Sequence, residues 1–265
     1  MAQYDRFARP GGSATREVGR IDEGLRAFML GVYNYMALAV ALSGVVAYVL
    51  YTQMITNDPA MAAQSATGAA LALKSGMYVT PLGKAILVSP LKWVFALLPL
   101  GFVLFLSFAR TSASTAQLVF WAFAVAMGIS LSSIFVIFKL GSIYQMFFVT
   151  AAAFGALSLY GYSTKKDLSA WGSFLIMGVV GIIVAMIVNI FLASSALHFA
   201  ISVIGLLVFA GLTAYDTQRL KDEYAMVAGD GEAVKRASIF GALSLYLDFV
   251  NMFQFMLSLF GSQNE

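Results

Sequence analysis

The sequence predicts an all-α protein that crosses a lipid bilayer several times. Of its 265 residues, 60% are hydrophobic and only 11% are charged, and the mean hydropathy is +0.84. Soluble domains usually carry about a quarter charged residues, so the composition excludes an ordinary soluble domain. Seven apolar stretches approach or exceed the roughly 20 residues that a spanning helix needs. They lie at 28–53, 88–109, 115–138, 143–162, 172–193, 198–220 and 237–260.

The segments outside these stretches predict how the chain is organised. Residues 1–26 are polar and Gly-rich without an apolar run near the start, which favours a mostly disordered cytoplasmic tail over a secretory signal. This tail is expected to turn helical near Ile21. Residues 27–262 then form one domain of seven transmembrane helices. The first connection, rich in Ala, Gly, Ser and Thr, predicts a loop with a short interfacial helix.

The distribution of basic residues predicts the orientation of the chain in the membrane. Cytoplasmic loops of membrane proteins carry an excess of Lys and Arg. With the N-terminus in the cytoplasm, twelve of the sixteen basic residues fall inside and four outside. We therefore expect a cytoplasmic N-terminus and, after seven spans, an external C-terminus. The four outer residues are Lys74, Lys84, Lys92 and Lys139.

The residue types also narrow the classes of site. The chain has no Cys and one His, which excludes thiolate metal sites and disfavours a Ser-His-Asp triad or a zinc centre. Tyr215 and Asp216 resemble one motif of the intramembrane aspartyl proteases. Their second motif, Gly-x-Gly-Asp, has no counterpart, because Leu245 and Leu247 stand at the glycine positions before Asp248. We expect no enzyme, no organic cofactor and no nucleic-acid partner.

Two acidic residues lie within the last two apolar stretches. Asp216 stands near the end of the sixth stretch and Asp248 in the middle of the seventh, with a Gly-Asp-Gly turn at 229–231 between them. If both helices extend to this turn, the two acids differ in depth by roughly 6 Å at 1.5 Å per residue. A modest stagger of the hairpin then brings the two carboxylates face to face inside the bundle.

The seventh stretch carries a polar stripe that supports this placement. Ser244, Asp248 and Asn251 fall within about 60° of arc on a helix. Such a stripe has to face the bundle interior, because lipid cannot solvate it. One interpretation is a structural cluster that orders helix packing. The other is a functional site, which is the default for ionisable residues within a membrane.

The chemistry of two facing carboxylates predicts a site for protons and divalent cations. Two such acids share a proton and titrate as one coupled unit. Protonated, they hydrogen-bond and hold their helices together; deprotonated, they repel each other and attract a divalent cation such as Ca²⁺. Asp216 and Asp248 are therefore the candidate pH-sensing, ion-gating and metal-binding residues. Arg110, at the inner end of the second stretch, is either their counter-ion or an anchor at the membrane interface.

Four motifs of the sequence are "GISLSSIF", "YGYSTKKDLSAWGSFL", "AYDTQRLK" and "GALSLYLDFVNMF". Together they resemble the Bax inhibitor-1 family, also called the transmembrane Bax inhibitor motif family. The resemblance covers about residues 25–262, and the short loops are typical of bacterial members. It implies a seven-helix fold with helix 7 at the centre and a pH-sensitive calcium leak. By motif, it also implies a gating pair at Asp216 and Asp248 and an arginine latch at Arg110.

The resemblance leaves two functions open. The first is a calcium leak channel of the bacterial inner membrane, with Ca²⁺ and H⁺ as its ligands and the lipid bilayer as its surroundings. Some bacterial relatives instead associate with a membrane quality-control protease. The alternative is therefore a non-transporting regulator that binds such a protease or another membrane partner.

The charge distribution makes the topology testable. A reporter fused after Glu265 should report an external location, because the twelve inner basic residues hold the N-terminus in the cytoplasm and seven spans follow. An alkaline phosphatase fusion paired with a green fluorescent protein fusion at the same position measures this directly. A cytoplasmic result would mean that one of the seven predicted stretches does not cross.

Overall fold

The chain folds into long helices with one small sheet. The computed structural model describes residues 11–65, 68–74, 76–109 and 111–264, with the backbone alone for 11–22 and 74. In chain order the elements are α1 (Gly11–Met54), β1 (Ile55–Thr56), β2 (Ala72–Lys74), β3 (Met77–Val79), α2 (Pro81–Gly83, continued by a π-helical turn over Lys84–Val88), α3 (Lys92–Phe108), α4 (Ala113–Ile137), α5 (Leu140–Ser163), α6 (Ser169–Leu192), α7 (Ser195–Val227) and α8 (Gly231–Phe260).

The predicted all-α membrane fold is confirmed, and the count of spans depends on one bent segment. Within the described ranges, six helices are long and apolar enough to cross a bilayer. The predicted stretch 88–109 is not one straight helix: Pro81–Val88 and Lys92–Phe108 meet at an angle of 66°. Ser89 is extended there (ψ 164°) because the following Pro90 disfavours helical backbone before it. Seven spans result if the bent pair crosses as one.

The first helix is longer than the sequence suggested. α1 begins at Gly11, so the backbone from there to residue 26 is helical where a mostly disordered tail was expected. Extending a helix that already exists costs much less than starting a new one, and the apolar stretch after residue 27 provides that existing helix. Residues 1–10 of the expected tail lie outside the described part of the chain.

The connection between α1 and α2 folds as a three-stranded antiparallel sheet. Its strand order is β1-β3-β2, and Ile55 pairs with Val79. A 3₁₀ turn over Pro59–Met61 is the short helix of this segment. The sequence did not predict the strands, because two or three residues are too few to show an alternating pattern.

Helix α8 is the centre of the bundle, as expected for helix 7 of this fold. It packs closely against α7, α1, α5 and α4. Leu245 and Tyr246, halfway along α8, are completely buried. Helices α6 and α3 lie further out, where α6 packs on α7 and α3 on α4. The most polar of the apolar stretches therefore occupies the position that is best shielded from lipid.

A buried hydroxyl pair joins three of these helices. Ser43 Oγ of α1 donates to the Ala124 carbonyl oxygen of α4 at 2.7 Å and lies 2.7 Å from the Tyr246 hydroxyl of α8. Ser43 Oγ also lies 2.9 Å from the Ala39 carbonyl oxygen of its own helix, so these buried hydroxyl groups find their hydrogen-bond partners within the protein. This contact sets the register of α1 and α4 against the central helix.

Helices α5 and α7 approach each other at a glycine. A Cβ added to Gly161 of α5 would collide with the backbone carbonyl of Ala214 in α7. Gly155, on the same helix, has no atom within 4 Å of an added Cβ. Only the first of the two glycines is therefore required by backbone packing.

This difference predicts opposite effects of one substitution at two positions of α5. Gly161→Ala should destabilise the protein by about 1–3 kcal/mol, since the helices have to move apart. Gly155→Ala is the matched control and should be neutral or stabilising by up to about 1 kcal/mol through helix propensity. Thermal unfolding of both purified variants in detergent checks this, and equal melting temperatures would show that α5 and α7 are not closely packed there.

Candidate functional site: a buried acid pair between α7 and α8

The two acids are brought together by a helical hairpin. α7 ends at Val227, Gly229 adopts a positive φ of 110°, and α8 begins at Gly231. Asp230 starts α8 by accepting hydrogen bonds from the backbone N–H groups of Glu232 and Ala233, at 3.0 and 3.1 Å. This is the turn that the sequence predicted. Since both helices extend to it without a break, residues at similar distances from the turn face each other.

Both predicted acids are buried inside the bundle. Asp216 is 6% exposed and Asp248 is 3% exposed. The Asp248 carboxyl interacts electrostatically with Asp216 and, more weakly, with Arg219. The structure therefore brings the two buried carboxyl groups within electrostatic range of each other across the α7–α8 interface.

Arg219 of α7 contacts one residue of each helix that carries the acid pair. Its Nη1 lies 3.3 Å from Asp216 Oδ1, one turn away on α7, and its Nη2 donates to Ser244 Oγ of α8 at 3.1 Å. Ser244 in turn lies one turn before Asp248. The Arg219 side chain is 42% exposed, so one end of it reaches the protein surface. Arg219 is thus the cation that the structure places against the pair.

In the part of the chain that the structure describes, the carboxyl group of Asp248 has fewer polar partners than that of Asp216. Its Oδ2 is buried and has no hydrogen-bond partner among the described residues. An unpaired buried polar atom costs about 1–3 kcal/mol, so folded proteins seldom keep one without a reason. Arg110, predicted to be the latch, lies outside the described residues, and its role stays a prediction.

The predicted polar stripe divides into two parts. Ser244 belongs to the site through its hydrogen bond from Arg219. Asn251 is half-buried, and its Nδ2 donates to the Leu247 carbonyl oxygen at 2.8 Å within α8 itself. Of the three residues on the stripe, Ser244 and Asp248 therefore lie in the acid site, whereas the side-chain hydrogen bond of Asn251 stays within its own helix.

A chain of hydroxyl groups lies next to the pair. The Tyr33 hydroxyl is 2.5 Å from Ser158 Oγ, which is 2.9 Å from Thr217 Oγ1. Thr217 follows Asp216 in the sequence and also donates to the Thr213 carbonyl oxygen at 2.8 Å. The chain ties α1, α5 and α7 together beside the acids.

Sequence reasoning missed Arg219 and this hydroxyl chain for different reasons. Arg219 stands three residues after Asp216, a spacing that places oppositely charged side chains together on a helix, so the signal was present. Tyr33, Ser158 and Thr217 are separated by 125 and 59 residues. No local pattern connects residues so far apart.

The arrangement can exchange protons and attract a cation, but it is not a preformed metal cage. Among the residues that the structure describes, no three His, Asp or Glu side chains are arranged so that they could hold a metal ion together. Ca²⁺ takes six to eight oxygen ligands, so the two carboxylates would supply only part of its shell.

The fold and the site define a helical multi-pass membrane protein with a buried pair of acidic residues at its centre. The family profile described as "Inhibitor of apoptosis-promoting Bax1" matches residues 25–265. The chain belongs to this family, the Bax inhibitor-1 family.

Similar proteins occur in several bacteria. A protein of Caulobacter vibrioides is 47% identical, with 92% of each chain covered. A Rickettsia prowazekii protein is 41% identical over 92% of this chain and 93% of its own length. The inner membrane protein YbhL of Escherichia coli K12 is 38% identical over 91% of this chain and 93% of its own. All three matches extend over nearly the whole chain, which agrees with the family assignment.

The bridging position of Arg219 predicts a coupled effect on stability. Arg219→Gln should cost about 1 kcal/mol, because it leaves the Asp216 carboxylate without its cation, a loss moderated by the partial exposure of Arg219. Adding Asp216→Asn should recover most of the loss, since the uncompensated charge is then gone. Thermal unfolding of the unaltered protein, the two single variants and the double variant, in detergent at neutral pH, measures these effects.

Arg236→Gln, on the exposed face of α8, is the control for the general loss of a basic residue. If the effects of Arg219→Gln and Asp216→Asn simply add, the two side chains do not act as a pair.

Proposed function

We propose that the protein is a pH-sensitive calcium leak channel of the bacterial inner membrane, gated by a proton that Asp216 and Asp248 share. The observation that carries the proposal is the burial of both carboxyl groups on facing helices, with Asp248 Oδ2 unpartnered among the described residues. Membership of the Bax inhibitor-1 family supports it. The name of the inner membrane protein YbhL supports the location.

At low pH the pair holds one shared proton. The protonated carboxyl can donate to the other, which replaces repulsion with a hydrogen bond across the α7–α8 interface. Arg219 compensates the remaining negative charge at Asp216 and contacts Ser244, so it adds a second link between the same two helices. This state keeps α8 in close contact with its neighbours and closed to ions.

At higher pH the shared proton leaves and both carboxylates are charged. Two like charges in a poorly solvated interface repel each other strongly. The repulsion favours separation of α7 and α8, entry of water and binding of a divalent cation between the acids. Arg219 opposes this by competing for Asp216. Because α8 contacts four other helices, a shift of this one helix loosens the whole bundle.

The alternative is a regulator that carries no ion and acts by binding a membrane protease. In that case the acid pair would order helix packing alone. Ion flux through the purified full-length chain separates the two functions. Ca²⁺ entry into proteoliposomes that contain no other protein, followed with an enclosed dye, would support the channel. No flux above that of protein-free liposomes from about pH 5 to about pH 8 would favour the regulator.

The acid pair predicts how substitutions of Asp216 and Asp248 change the pH dependence of Ca²⁺ flux. In this assay Asp248→Asn and Asp216→Asn should each flatten the pH dependence of Ca²⁺ flux, because each removes one of the two coupled charges while keeping a hydrogen-bonding group of the same size. The double variant should be little worse than either single one, since the two residues act as a unit. Asp222→Asn, on an exposed position of α7, is the control and should keep the original profile.

If both single variants keep the pH curve of the unaltered protein, the acids are packing elements and gating by this pair is wrong. Thermal unfolding of each variant, measured in parallel, shows whether a lost flux reflects a lost fold.

A further inference from the structure

A long apolar groove lies between α1 and α5. These two helices are not among the closely packed pairs of the bundle. Two adjoining cavities of about 930 and 460 Å³ follow the space between them. Val40 and Ala41 of α1, Phe147 of α5 and Phe249 of α8 line both cavities, so the two form one continuous groove.

The larger cavity has a buried floor and exposed edges. Met29 and Phe249 are buried, whereas Leu30 and Leu159 are about 52% and 66% exposed. All four side chains line this cavity. The groove therefore opens sideways, through the surface that faces the hydrocarbon of the membrane. A molecule that enters it has to come from the bilayer.

A basic residue stands at one end of this cavity. Arg26 of α1 lines the cavity and is exposed, and it makes no hydrogen bond or ion pair with residues 23–65, 68–73, 76–109 or 111–264, whose side chains the structure describes. It lies at the start of the candidate membrane span of α1, which runs from Glu23 to Met54, and arginines near the ends of spans extend toward the lipid headgroups. The groove thus combines an apolar wall with one positive charge at headgroup level.

We propose that this groove binds one anionic phospholipid from the leaflet at the Arg26 end. One acyl chain lies in the larger cavity against Phe249, and the headgroup phosphate pairs with Arg26. The volume of the larger cavity, about 930 Å³, falls in the usual range of ligand pockets, about 300–1,000 Å³. The hydrogen bond between Tyr33 and Ser158, both of which line the cavity, joins α1 to α5 across it. A slender acyl chain fits beside that bond, whereas a whole helix of about 10 Å diameter does not.

Lipid binding can be measured without measuring ion conduction. Lipid contacts α1, α5 and α8 through apolar atoms, and Arg26 takes no part in the acid pair. Binding is therefore measurable on the full-length chain in detergent, by native mass spectrometry, with phosphatidylglycerol and phosphatidylcholine of identical acyl chains. The unaltered protein should retain one phosphatidylglycerol more tightly than any phosphatidylcholine.

Gly155 provides a test of the apolar part. It lines the cavity, and an added Cβ meets no atom within 4 Å, so a large side chain there fills the groove without colliding at its base. Gly155→Phe should abolish the tightly bound lipid, and Gly155→Leu serves in its place if the Phe variant does not fold. Gly181→Phe on α6 is the matched control, because Gly181 is equally open and lies outside the lining of the groove. It should bind lipid as the unaltered protein does.

Arg26 provides a test of the charged part. Arg26→Gln should lower the affinity for phosphatidylglycerol about fivefold, toward that for phosphatidylcholine, since one basic residue near an anionic headgroup contributes about that much. Arg236→Gln is the control and should leave the preference unchanged. Soluble glycerol phosphate should not displace the lipid.

Three results would overturn the proposal. They are unchanged binding in the folded Gly155 variants, an unchanged preference for phosphatidylglycerol in Arg26→Gln, and displacement by glycerol phosphate. The last would mean that the site takes a free phosphate and no acyl chain.

Discussion

A carboxylate within the hydrocarbon region has to be enclosed by protein, and the fold is arranged around that constraint. Asp248 lies halfway along its helix, where neither water nor lipid headgroups can solvate it. The helix that carries it is consequently the central one, with four others packed against it. The outer helices α3 and α6 are apolar on nearly every face, and their large exposed side chains contact lipid.

Polar contacts between helices follow from the same constraint. The hydroxyls of Ser43 and Tyr246, and those of Tyr33, Ser158 and Thr217, find partners in one another, because the bilayer offers none. Each set joins three helices, and each lies close to α8 or to the Asp216 turn of α7. The two helices that carry the acid pair are thus also joined to their neighbours by hydroxyl contacts, through Tyr246 of α8 and Thr217 of α7.

The proposed lipid site and the acid pair share one structural element. Phe249 forms part of the groove floor, and it is the residue after Asp248. Ser158 lines the same groove and bonds to Thr217, the residue after Asp216. Consecutive residues of one helix point to different faces, which lets α7 and α8 meet an apolar environment on one side and the buried acids on another. Each site could consequently be altered without direct contact with the other.

The sequence by itself determined the membrane class, the α7–α8 hairpin and the two acids, because these depend on hydropathy, turn residues and helical periodicity, which are local properties. It did not determine the small sheet, whose strands are too short to show a period, or the bend before Lys92. It also did not determine that Arg219 bridges the hairpin to Ser244 or that Tyr33 reaches Ser158. Those contacts join residues 25 and 125 positions apart. They depend on how helices rotate and approach one another, which only the packing of the whole bundle decides.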